Sequence, residues 1–348
     1  MKKFRKSLLV IVTLILSISA FTLFTNETTV SAKSYYAQKD DTEKTEGPRV
    51  FVSPHWVNKV VNKKTDVKDY KIFEASYGND SKFKKGHIPG AIHINTNSVE
   101  SEKNEWNLVS ANKIKKLLLK NGVTSNTTLI VYSTDINAAS RVAFAAFWTG
   151  VNNIKVVDGG YNGWKQSDYK IQKGKSKSVK AAADFGTDVP ANAKYEIKTP
   201  ANFLAQQKDD PNVILASTRS WKEFTGKTSG YSYIKEKGEP KGAVYAKTSK
   251  TSADSAYLLN KNGTVKSISQ IAPTWKKWGI EPTSNIDFYC GTGWRATTAF
   301  FIAYQGGWKN VHVYDGGWYA WNKAHKKDPS KYQVQVGSPR SKNVKILN

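Results

Sequence analysis

Cysteine and methionine are almost missing, with one of each in 348 residues. A single Cys, Cys290, excludes any intramolecular disulfide. Folding free energy must therefore come from packed cores, which a chain of this length can supply. One Cys also excludes a Cys-rich zinc site, and the five histidines show no metal-ligand spacing. No glycine motif of the Walker or dinucleotide kind is present, so no nucleotide cofactor is expected. Acidic residues are scarce: 28 Asp and Glu stand against 53 Lys and Arg, a formal charge of +25. The lysines are scattered rather than blocked, which describes a solvated surface. That surface would be drawn to an anionic cell envelope, and nucleic acid is not an expected partner.

The one conspicuous apolar run lies at the start. "MKKFRKS" is basic, "LLVIVTLILSISAF" is too short for a comfortable membrane span, and "VSA" ends in small residues. This reads as a secretory signal over residues 1–32, and so as a secreted or extracytoplasmic protein. Removing it takes away four basic residues and one acidic residue and leaves +22.

The rest of the chain repeats itself. "LIVYSTDINAASRVAFAAFWTGVNNIKVVDGGYNGWK" from Leu129 aligns without a gap to "IDFYCGTGWRATTAFFIAYQGGWKNVHVYDGGWYAWN" from Ile286. Tyr132 matches Tyr289, Gly150 matches Gly307, Asp158-Gly159-Gly160 matches Asp315-Gly316-Gly317, and Trp164 matches Trp321, always 157 residues apart. Each copy reads strand, turn, apolar helix, strand: a βαβ unit of an α/β fold with a mostly parallel sheet flanked by helices. The domains are expected at 48–172 and 193–327. The charged, small-residue segment 173–192 serves as linker, and 328–348 is an extended tail.

Cys290 falls where a strand ends and "GTGWR" turns into a helix. Gly291 and Gly293 let successive backbone N–H groups converge, and such a nest binds an anion. The helix N-terminus and Arg295 add positive potential. These effects favour thiolate over thiol and make Cys290 a nucleophile aimed at an anionic substrate. In loops that hold phosphate at a Cys, the Arg stands six positions on. Here it stands five on, and the smaller ring suits a persulfide better.

With "FKKGHIPGA", "ASTRSWKEFTG" and the two "DGG…W" segments, the loop "CGTGWR" resembles the two-domain rhodanese family of sulfurtransferases. The resemblance spans essentially the whole chain after the signal. It implies two tandem rhodanese-like domains, with catalysis in the second only. It also implies a ping-pong cycle in which a small anionic sulfur donor loads Cys290 and a thiol or cyanide acceptor unloads it, without a cofactor. The N–H groups of Gly291, Thr292, Gly293, Trp294 and Arg295 would form the cradle, and Arg295 would steer the donor. Arg219 fits a common Arg of the "TRS" turn and is a substrate-binding candidate. Ser133 and Ala138 stand where the second half has Cys290 and Arg295, which makes the first domain inactive. Where animal-type thiosulfate enzymes carry a further cation this chain has Glu223. "GTG" looks like the mercaptopyruvate enzymes and "WR" like bacterial thiosulfate-using loops. Thiosulfate is the favoured donor and 3-mercaptopyruvate the alternative. An exported, non-catalytic sulfur carrier or envelope-binding protein is the reading from another class.

Overall fold

The computed structural model describes residue 41 and residues 44–348 except 177. The expected signal, residues 1–32, lies outside the described residues. The first half contains strands β1 (Phe51–Val52), β2 (Tyr70–Ser76), β3 (Ile92–Asn95), β4 (Thr128–Tyr132) and β5 (Asn153–Val157). They form one sheet in the order β1-β5-β4-β2-β3, every pair parallel. The second half contains β6 (Glu196–Ile197), β7 (Ile214–Ser217), β8 (Glu239–Pro240), β9 (Val244–Tyr245), β10 (Ile286–Tyr289) and β11 (Val311–Tyr314). All but β8 form a second parallel sheet, β6-β11-β10-β7-β9, which repeats the first order strand for strand. The central strands β4 and β10 are buried along their whole length. Helices cover both faces of a parallel sheet, so its middle strands read as unbroken apolar runs.

The helices are α1 (Pro54–Val61), α2 (Ser81–Lys85), α3 (Ala111–Lys120), α4 (Ile136–Thr149) and α5 (Gly160–Gln166) in the first half. The second half has α6 (Pro200–Asp209), α7 (Trp221–Phe224), α8 (Ile268–Lys276), α9 (Trp294–Gln305) and α10 (Gly317–Lys327). The duplicated apolar helices α4 and α9 pack on each other. Phe144 meets Phe300 edge-on at 5.1 Å, and Phe147 meets Tyr304 at 5.3 Å. Residues 137–149 of α4 are all buried. A helix apolar on all sides is one covered on all sides, here by its own sheet and by its duplicate. The largest apolar cluster accordingly draws on both halves.

The duplication also appears in the hydrogen bonds between the halves. Leu108 N–H donates to Asp315 Oδ2, and Val265 N–H donates to Asp158 Oδ1, each at 2.7 Å. Donors and acceptors are both 157 apart. The linker lies on the first domain: Phe185 is fully buried and its carbonyl accepts from Ser125 N–H at 2.8 Å. The tail is more than an extended strap. Its strands β12 (Val334–Val336) and β13 (Lys345–Leu347) join β8 in a three-stranded antiparallel sheet.

Candidate active site

Cys290 follows the last residue of β10, and α9 begins at Trp294. The turn between them is held from behind. Trp318 N–H, in the first turn of α10, donates to Cys290 O at 2.8 Å, and Tyr319 N–H donates to Gly291 O at 3.1 Å. The first half repeats the first of these bonds, with Tyr161 N–H donating to Ser133 O at 2.9 Å. The two bonds from α10 take up the loop's first two carbonyls and leave its amides to find other partners. Gly291 N–H donates to the Tyr231 hydroxyl at 3.1 Å. The N–H groups of Thr292, Gly293, Trp294 and Arg295 donate to no acceptor among the described residues. Four open amides at a helix N-terminus make an anion site.

Both loop glycines are required, for different reasons. A Cβ on Gly291 would lie 2.3 Å from the Tyr231 ring. Gly293 has φ +89°, and a Cβ there would lie 2.6 Å from both Arg141 Nη1 and Asp315 Oδ1. Arg141 belongs to the first domain.

Arg295 has little of its charge to spare for the cleft. Glu223 takes its Nη1 at 3.0 Å and its Nη2 at 2.9 Å, a bidentate clamp. Thr251 O accepts from Nη1 at 3.0 Å and the Tyr231 hydroxyl accepts from Nη2 at 2.5 Å. Only Nε–H is without a partner. Burial opposes the Glu223 charge, but Arg295 beside it holds the carboxyl down at about 2. Glu223 thus occupies the place of the cation expected from the resemblance, and it fixes the cation that remains. Burial pushes the Tyr231 phenol well above its ordinary range, so it keeps its proton.

The sequence offered Arg219 as a substrate-binding residue, and the fold turns it inward. Its side chain is fully buried, donating to Gly238 O at 2.7 Å, Glu239 Oε1 at 2.8 Å and Ser229 O at 2.8 Å. It reaches the loop through Glu223, 3.4 Å from its Nε, and through the Trp318 ring, 5.3 Å from its Cζ. Arg219 thus does not line the cleft, and its described hydrogen bonds are all to protein groups.

Thr292, Trp294 and Arg295 line a cleft of about 340 Å³ between the halves. Cys290 is 1% exposed and is not among the residues that line it. The same cleft brings in residues that no spacing singled out: Glu100, Trp106 and Asp135 from the first domain, and Tyr231 and Tyr233 from the second. Glu100 accepts from Trp294 Nε1 with one oxygen and from Arg141 Nε, at 2.8 Å, with the other. Arg141 also donates to Asp315 Oδ1 at 2.5 Å and to Trp106 O at 3.1 Å. The half with Ser133 in place of the cysteine thus braces the loop of the other.

Comparison with known proteins agrees with this architecture. The rhodanese-like domain family matches twice, at residues 53–167 and 200–324. The chain is 41% identical over 277 residues to the thiosulfate sulfurtransferase YnjE of Escherichia coli, covering 78% of this chain but only 63% of YnjE. The crystal structure of YnjE superposes with a TM-score of 0.77 at 39% identity, over 83% of this chain and 68% of that one. A structure of EanB bearing a cysteine persulfide, with ergothioneine, superposes at 0.78 with 29% identity, over 85% and 73%. In that EanB structure a tyrosine substituted by Phe stands 59 positions before the persulfide cysteine. In other EanB structures, with hercynine, a threonine two positions after that cysteine is substituted. Tyr231, Cys290 and Thr292 have the same spacing. By its two matched domains, its duplicated parallel sheets and its cysteine loop, the chain belongs to the rhodanese family.

Proposed function

We propose that this protein is a thiosulfate sulfurtransferase working through a persulfide on Cys290. The Cys290 sulfur attacks the outer sulfur of thiosulfate, the S–S bond breaks, and sulfite leaves with the bonding pair. The open amides of Thr292 to Arg295 carry the reading. They are donors aimed at the place where negative charge sits on the incoming donor and then on the persulfide. An acceptor such as cyanide or a thiol attacks the outer sulfur and restores Cys290. The Tyr231 hydroxyl, accepting from both Gly291 and Arg295, keeps the loop in register with the guanidinium. YnjE's name supports thiosulfate as donor, and 3-mercaptopyruvate is the alternative. The EanB spacing favours a second reading for the acceptor alone, a betaine of the hercynine kind. The basic sequence supports a further proposal, export and electrostatic retention at an anionic envelope, which cell fractionation at low and high salt would check.

Mass spectrometry after thiosulfate exposure tests the central step. One added sulfur on Cys290, absent in Cys290→Ser with the fold unchanged, is the expected result. No added sulfur from either donor would end the enzyme reading. Thiocyanate formation with cyanide, and a sulfurated product with hercynine, then separate the acceptors.

A further inference from the structure

The first domain has no cysteine at Ser133, yet Glu100, Trp106, Asp135 and Asn137 form part of the cleft. The side chains of the two domains that line this cleft have a chemistry opposite to that of the loop's amides. Glu100 and Asp135 are carboxylates; Trp106, Tyr231, Tyr233 and Trp294 are aromatic. The rings form a continuous wall across the domain boundary, Trp106 to Tyr233 at 5.8 Å and Tyr233 to Tyr231 at 5.4 Å. The cations nearby are already committed. Arg295 is clamped by Glu223, and Arg141 is shared between Glu100 and Asp315. Counting Asp135 and the Arg219–Glu239 pair behind Glu223, five carboxylates stand against three guanidiniums around the cleft. An aromatic wall with an excess of carboxylate attracts a cation, quaternary ammonium above all. The donor's negative charge has its own place, at the open amides of the loop.

We propose that the wall shared by the two domains selects a positively charged sulfur acceptor, with Glu100 and Asp135 of the first domain as the specificity-determining residues. This rests on the sulfur-transfer reading for its meaning, but the binding preference stands independently of turnover. A volume of about 340 Å³ suits a small molecule, not a macromolecular segment.

The probes are choline and its uncharged isostere 3,3-dimethylbutan-1-ol, titrated calorimetrically into the full chain at pH 8.5. Burial pushes the Glu100 carboxyl up to about 7, so this pH keeps it ionised. Choline should bind about fivefold or more tightly than the isostere, the ratio expected for a partly screened carboxylate beside an aromatic face. The ratio should collapse in Glu100→Gln. Because Glu100 also braces Trp294, Asp135→Asn is the second variant. Asn retains the cap oxygen that accepts from Asn137 N–H at 2.9 Å, so the fold should survive while the ratio falls at least twofold. A cleft merely loosened by substitution would weaken both probes alike and leave the ratio unchanged. Choline no tighter than the isostere, or a ratio unchanged in both variants, overturns the proposal. Failure of persulfide loading would overturn the sulfur-transfer reading and leave this result standing.

Discussion

Replacing Gly293 by alanine puts a methyl carbon 2.6 Å from Arg141 Nη1 and 2.6 Å from Asp315 Oδ1. A flexible side-chain end would ordinarily move aside at little cost. Arg141 cannot, because Glu100, Asp315 and Trp106 O hold its guanidinium from three directions and it is fully buried. The substitution therefore carries two costs. A non-glycine residue at φ +89° costs about 1 kcal/mol. Breaking a buried ion pair between the domains costs about 3–5 kcal/mol more. Gly78 is an internal control: its φ is also +89°, and nothing lies within 4 Å of its Cβ position. Gly78→Ala should show the backbone cost alone. At about 2–4 °C per kcal/mol for a domain of this size, calorimetry should find Tm lower by roughly 2–4 °C for Gly78→Ala and by roughly 8–24 °C for Gly293→Ala. Persulfide loading by thiosulfate should be lost or strongly slowed only in Gly293→Ala. If the two variants melt within about 2 °C of each other, the brace from Arg141 to the loop is not rigid and the argument fails.

Glu223→Gln should lower stability by about 3–5 kcal/mol in urea unfolding, because it leaves Arg295 buried beside a neutral amide and weakens the contact to Arg219. Trp294→Phe keeps an aromatic side chain but removes the indole's second ring and with it the donor to Glu100. About 1–3 kcal/mol should be lost, and a Tm within 1 °C of the parent would show that the bond contributes nothing. Stability should also depend on pH through Glu100. Burial raises its carboxyl from 4.5 to about 7, so the folded chain holds that proton more tightly than the unfolded one. The resulting stabilisation is complete below pH 4.5 and is lost as pH rises through 7, at most about 3 kcal/mol. Glu196, raised by burial to about 8, acts in the same direction at slightly higher pH. Glu100→Gln should therefore flatten Tm against pH between 5 and 7.5, and an unchanged slope there would remove Glu100 as its source.

What the sequence determined by itself is what is written locally or by repetition. The 157-residue register fixed the duplication, because matched residues must serve matched turns: Tyr161 to Ser133 O and Trp318 to Cys290 O are the same bond made twice. The strand, the glycine turn and the helix start around Cys290 are neighbours in the chain, so their meeting needs no long-range information. The tertiary structure alone decided what faces that cysteine. Trp294 and Glu100 are 194 residues apart, Arg141 and Asp315 are 174 apart, and Arg295 and Glu223 are 72 apart. No periodicity records such pairs. They meet because α4 and α9 bury their apolar sides against each other, which sets one half at a fixed angle to the other. Arg219 shows the same limit from the opposite side. Its place in a familiar turn suggested a substrate contact, but a guanidinium that finds Glu239, Glu223 and two carbonyls in the interior is held there by the cost of leaving those buried acceptors unpaired.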